Sequence, residues 1–186
     1  MTIKEFAHIF LKRIREERIR SHIKNETEFE RKFIIPLVSK ISPPPNIWVC
    51  CHPWGSRTSC IPDCKTAHIN KGKIEIGCWK CWKQSKKWSS VAAFGTHHDF
   101  DLVAKDQFGN TLIIEIKFLS ETNGRMPNGE IQRFLGQCAL AATKHDIVIG
   151  VCGYRGSFNP KWNKDTNSVK KWAQKNNINL VFRKVD

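Results

Sequence analysis

No stretch of the 186-residue chain approaches the ~18 consecutive apolar residues that a membrane-spanning helix needs. Its first residues, MTIKEFAHIFLKRIREERIR, have no continuous apolar core and place acids early, so they do not read as a secretory signal. A cytoplasmic location is the resulting expectation, and with it reduced thiols. The sequence has no internal repeat and no low-complexity tract. Acidic residues are scarce: 17 Asp and Glu face 31 Lys and Arg, a formal net charge of +14. That excess concerns partners rather than fold. Nucleic acid is the commonest polyanion met by a domain this basic, with an anionic membrane surface as its rival.

The length suits one domain carrying an insertion better than two independent domains, and it allows a proper core without disulfides. A hydrophobic content of 40% with 26% charged residues is a globular balance. Thr2-Ile3-Lys4-Glu5 has capping-box spacing and predicts a helix to about residue 20, with Ile3, Phe6, Phe10 and Ile14 as its apolar stripe. Asn25-Glu26-Thr27-Glu28 opens a second helix, which buries Phe29, Phe33 and Leu37 and which Pro36 should kink or end. Ser42-Pro43-Pro44-Pro45 is a stiff extended break.

The composition then changes. Residues 46–90 hold six of the eight cysteines and five of the seven tryptophans, which marks an inserted module between residues 1–45 and 91–186. Beyond it come a hairpin, a helix at 128–143, a buried strand at 146–153, a helix at 165–176 and a last strand at 178–184. Outside the insertion the order is helix, strand, strand, helix, strand, helix, strand. The expected fold class is α/β, a mixed sheet flanked by helices.

The hairpin, HDFDLVAKDQFGNTLIIEIKF, poses the chemical question. Its second strand is apolar on both faces, with Ile113 and Leu119 on one and Ile114, Ile116 and Phe118 on the other, the pattern of a buried central strand. Glu115 and Lys117 nevertheless share one face of it. Charges are seldom buried without a partner or a purpose. Asp101, just before the apolar Leu102-Val103, can lie across from Glu115 at one end of the sheet. Two carboxylates with a backbone carbonyl make an oxygen cradle suited to Mg²⁺, and a lysine beside it can orient a water and stabilise charge on a phosphorus.

Asp101 in FDLVA and Glu115-Ile116-Lys117 in LIIEIKF resemble the PD-(D/E)XK nuclease superfamily. The resemblance covers residues 25–41 and 95–186 and excludes the cysteine-rich stretch. It implies a restriction-endonuclease-like core in the order α-β-β-β-α-β, with one short early strand near residues 91–100. It also implies a glutamate from the first core helix at the metal, where Glu30 fits best and Glu26 second. A glutamine follows on the helix after the E-x-K strand, where Gln137 fits better than Gln132. Phe100-Asp101 stands where the family has Pro-Asp, and Asp99 is an alternative ligand to Asp101. His97 and His98 precede the strand and are candidates for substrate or metal contact.

Within the cysteine-rich stretch, Cys60-x3-Cys64, thirteen residues, then Cys78-x2-Cys81 gives two close thiolate pairs that suit tetrahedral Zn²⁺ in a small zinc-ribbon-like insertion. Cys50, Cys51, His52 and His68 are alternative ligands, while Cys138 and Cys152 read as core thiols. Trp79, Lys80, Trp82, Lys83, Lys86 and Lys87 interleave aromatics with cations, a composition suited to bases and phosphates.

The expected function is a Mg²⁺- or Mn²⁺-dependent endonuclease acting on DNA rather than RNA, with structural Zn²⁺. A homodimer and a protein partner docked through the zinc module are compatible with it; a membrane partner is not expected. The alternative is a zinc-containing nucleic-acid-binding or protein-docking module of the same fold without catalysis.

Overall fold

In the computed structural model, which describes residues 1–19, 22–41, 47–51, 79–120, 128–156 and 164–185, Thr2 caps α1 (Ile3–Glu16) as its spacing predicts. The Thr2 hydroxyl accepts from Glu5 N–H at 3.3 Å, and the Glu5 carboxylate accepts from Thr2 N–H at 2.7 Å. Ile3, Phe6, Phe10 and Ile14 are buried. The helix stops short of residue 20. Glu17 turns to extended backbone, and the Arg183 guanidinium donates to the carbonyls of Arg15 at 2.6 Å and Glu17 at 2.7 Å. Those bonds satisfy acceptors that the end of the helix leaves open.

Asn25 caps α2 (Glu26–Phe29), accepting from Glu28 N–H at 2.9 Å. Pro36 does not end this helix. The chain widens into a π turn (Glu30–Ile34), where Ile35 N–H donates to the Glu30 carbonyl, and continues as α3 (Ile35–Ile41). Proline has no N–H for the α-helical turn before it, and the wider turn absorbs that defect.

Next in order are β1 (Ile47–Cys51), α4 (Trp79–Ser89), β2 (Val91–Ala93), β3 (Thr96–His98), β4 (Leu102–Asp106) and β5 (Thr111–Ser120). They are followed by α5 (Asn128–Ala142), β6 (Ile147–Arg155), α6 (Lys164–Lys175) and β7 (Ile178–Lys184). Five strands form a mixed sheet in the order β1-β4-β5-β6-β7. The β1–β4 and β4–β5 pairs are antiparallel, and β5–β6 and β6–β7 are parallel. Leu112, Ile114, Ile116 and Phe118 of β5 pack with residues of α1 and α3 on one face. Ile113 and Leu119 pack with Phe134 and Cys138 of α5 and Ala173 of α6 on the other. The chain is thus α/β, with a mixed sheet between helices and β5 buried on both sides.

The early strand differs from expectation. Residues 91–98 form a separate two-stranded sheet, β2 with β3, and it is β1 that joins the central sheet beside β4. The reason lies in the side chains. Thr96-His97-His98 is polar and largely solvent-facing, whereas Ile47, Val49, Cys50 and Cys51 are buried. The two cysteines act here as small apolar residues rather than as part of a separate module. Trp88 of α4 meets Trp48 of β1 edge-on at 5.4 Å, and the Lys105 ammonium stands 5.7 Å from the Trp88 ring.

Gly150 of β6 lies level with Glu115 of β5. A Cβ there would stand 2.7 Å from Cys138 Sγ, 2.8 Å from Phe134 Cζ and 2.9 Å from Leu180 Cδ2. The absent side chain lets α5 press directly onto the sheet beneath Glu115. We expect Gly150→Ala to cost about 1–3 kcal/mol by overpacking, read as a lowered Tm in thermal denaturation.

Candidate active site

The site begins where one strand outruns its neighbour. β4 starts at Leu102, opposite Ile114, while β5 continues to Ser120. Beyond Ile114 no strand among the described residues covers the edge of β5 facing β4, and its N–H groups need acceptors. Carboxylates supply them. Asp101 Oδ2 accepts from Ile116 N–H at 2.7 Å, and Glu26 Oε2 accepts from Phe118 N–H at 3.3 Å. Continuing the antiparallel register by one residue places Asp101 opposite Glu115, as the sequence leads one to expect.

Glu115 is 4% exposed, and its Oε2 has no hydrogen-bond partner among the described residues. Burial pushes its pKa well up, the charges of Asp101 and Glu26 push the same way, and the Asp101 backbone N–H and Lys117 oppose them. Burial likewise lifts the Asp101 carboxyl to about 7, against the pull of the Ile116 N–H and with help from Glu26.

Lys117 bends over the open edge. Its Nζ lies 2.8 Å from Glu130 Oε2 at the start of α5 and 3.1 Å from Glu26 Oε2 on α2. Burial works against its charge, but these two pairs outweigh it and hold the lysine above its ordinary pKa. Lys117 in turn lowers the pKa of Glu130. The result is a group of alternating charges, Asp101 and Glu115 beside Lys117, clasped by helices from both faces of the sheet.

Of the two helix glutamates, Glu26 is the one that reaches Lys117. Glu30, one turn on at the π turn, is buried, and its charge raises the pKa of Cys51, which burial already lifts. Asp101 raises the same thiol, so Glu30 stands near the same end of the sheet. Gln137 is half-buried on α5, two turns past Glu130, and Glu130 is the residue of that helix that contacts Lys117. Sequence reasoning passed over Glu130. Its signal was an acid in the first turn of the helix after the E-x-K strand, where the helix dipole favours negative charge. Asp99 is engaged elsewhere, accepting from Ser90 Oγ at 2.7 Å and pairing with Lys86. His97 is exposed, and His98 Nε2 lies 3.1 Å from Thr96 Oγ1 within its own hairpin.

Cys60, Cys64, Cys78, His52 and His68 lie outside the described residues, as do the side chains of Cys81, Trp79, Lys80 and Trp82 on α4. Lys83, Lys86 and Lys87 of that helix are exposed. Cys50, Cys51, Cys138 and Cys152 are buried thiols, and burial pushes Cys152 up to about 12. Among the described residues no three His, Cys, Asp or Glu side chains are grouped as a formed metal site, and no helix is long and apolar enough to cross a membrane. The chain matches no protein-family model, no curated protein and no solved structure.

The raised pKa values have a sign. Asp101 and Glu115 hold protons more tightly folded than unfolded. For Asp101, the metal-free fold has that contribution in full below the unfolded value of 3.8 and loses it as pH rises to about 7. Asp101→Asn keeps an acceptor for Ile116 N–H and removes the charge. In EDTA, its Tm advantage over wild type should be small near pH 4, grow as pH rises to about 7 and level off above it.

Proposed function

We propose that the chain is a divalent-metal-dependent nuclease with a restriction-endonuclease-like core, hydrolysing phosphodiester bonds in nucleic acid, DNA in preference to RNA. The observation that carries this reading is the placement of Asp101 opposite Glu115, beside Lys117, at the free edge of β5. A buried Glu115 and a half-buried Asp101, both with raised pKa values, and a Glu115 oxygen without a partner among the described residues form an oxygen-only donor set that fits Mg²⁺ or Mn²⁺. Asp101 and Glu115 would hold the ion, with Glu30 as the third donor. When bound, it would acidify a water and draw charge from the phosphate.

The chain's own side chains carry the rest. Lys117 sets a fixed positive charge next to the carboxylates, where it orients the attacking water and faces the charge that develops on the phosphate. Glu26 and Glu130 hold its long side chain in place, so no reorganisation is needed when substrate arrives. Gln137 is assigned to orient Lys117 or the phosphate. The net charge of +14 attracts the polyanion. Cys60, Cys64, Cys78 and Cys81 are assigned to structural Zn²⁺. Trp79, Lys80, Trp82, Lys83, Lys86 and Lys87 then extend the nucleic-acid footprint or meet a protein partner. Cleavage of both strands of a duplex would call for a second copy of the chain.

One observation favours a second reading. Lys117 is already paired with two glutamates, and Asp101 and Glu26 also serve as caps for the sheet edge. That arrangement suits a zinc-containing nucleic-acid-binding or docking module in which the cluster is structural.

Supercoiled plasmid, single-stranded DNA and RNA, each in Mg²⁺ and in EDTA, separate the two. Cutting should require Mg²⁺, and Lys117→Ala should slow it by about 10²–10³-fold while nucleic-acid affinity changes little. Equal cutting by wild type and variant contradicts the assignment of Lys117. Tight binding with no cutting by either selects the binding module.

A further inference from the structure

Phe94 stands wholly exposed at the tip of the β2–β3 hairpin. It and Gly95 are the two residues between Ala93 and Thr96, which pair across the turn. Their φ values are 50° and 77°, the positive pair that a two-residue I′ turn requires and that Asn-Gly meets best. Phenylalanine is a poor occupant of that position. Its Cβ crowds the backbone, and here its ring packs on none of the described residues. A strained residue that buries no surface contributes nothing to the fold, so its use lies in contact with another molecule.

The base of the hairpin is fixed. Val91 is buried, Ser90 Oγ donates to Asp99 at 2.7 Å, Lys86 pairs with Asp99, and Lys144 Nζ donates to the Ser90 carbonyl at 2.6 Å. The tip is therefore a braced prong, carried roughly 10 Å from that base by strands that rise about 3.3 Å per residue. The chain leaving β3 runs directly into Phe100, which is buried, and Asp101 of the candidate site. His97 on the hairpin and Lys83 and Lys87 on the neighbouring α4 are exposed.

We propose that Phe94 is a base-stacking prong, which places its ring against a base of nucleic acid held at Asp101, Glu115 and Lys117. This rests on the nucleic-acid reading of that site and adds to it a contact that takes no part in the chemistry. The chain's charge of +14, with Lys83 and Lys87 exposed on the helix that leads into the hairpin, selects a polyanion as partner. An exposed aromatic tip on a chain of this charge suits bases, because every base offers a π face.

Phe94→Asn tests the idea, because it keeps the I′ turn and should leave Tm equal or higher while removing the ring. Binding to fluorescein-labelled single-stranded and duplex DNA is measured by anisotropy in EDTA, so that cutting does not intervene. Phe94→Asn should weaken binding by about 10-fold, Phe94→Trp should retain it, and Phe94→Leu should lose it like Asn. The tryptophan of Phe94→Trp should also quench a 2-aminopurine placed in the strand. Unchanged affinity in Phe94→Asn, with wild type binding well, overturns the prong and leaves the nuclease reading intact. Full affinity in Phe94→Leu, or a change of oligomeric state in Phe94→Asn by sedimentation, overturns it in favour of an apolar pocket or a second copy. No binding by wild type overturns both readings.

Discussion

The edge of β5 beyond Ile114, which no described strand covers, is the constraint from which the site follows. Main-chain N–H groups in a sheet must find acceptors, and β4 begins too late to serve Ile116 and Phe118. A neutral side chain or water would suffice at a surface. Here the acceptors are the carboxylates of Asp101 and Glu26, which brings negative charge to the end of a core strand that already carries Glu115. Lys117, two residues on from Glu115, bends over the same edge and joins helices on both faces through Glu26 and Glu130.

Such a cluster is costly in a low-dielectric setting unless every charge is matched. Lys117 answers part of the demand. Burial still lifts Asp101 and Glu115, and one Glu115 oxygen stays without a partner among the described residues. A fold with no use for this arrangement would be more stable with apolar side chains in its place. The mismatch between buried acid and available base is therefore the physical argument for a divalent cation, and it is independent of any likeness to other proteins. Gly150 completes the setting by allowing Phe134 and Cys138 to seal the floor beneath Glu115.

Much of this was legible in the sequence because local rules and tertiary demands agree. The caps at Thr2 and Asn25, the last strand at Ile178–Lys184 and the two-faced burial of β5 follow from spacing and apolar pattern alone. Asp101 opposite Glu115 follows from hairpin arithmetic. Other features were hidden for identifiable reasons. β1 sits in a cysteine- and tryptophan-rich stretch whose composition masks a strand, and only its pairing with β4 reveals it. The π turn and the early end of α1 depend on Pro36 acting through the backbone and on Arg183 arriving from the last strand. The preference for Glu26 over Glu30 at Lys117 depends on which turn of a helix meets the sheet edge. Sequence places both on one face, and the resemblance that put Glu30 first and Glu26 second says nothing of which one reaches Lys117.

Isothermal titration of the nucleic-acid-free protein with Mn²⁺ at about pH 8, comparing wild type with Glu115→Gln, addresses the central claim most directly. The account predicts one saturable site that Glu115→Gln abolishes. Its binding heat should vary with the buffer's ionisation enthalpy, because carboxyls with raised pKa values release protons when the ion enters. Equal Mn²⁺ binding by the two proteins, or none by wild type, would contradict it.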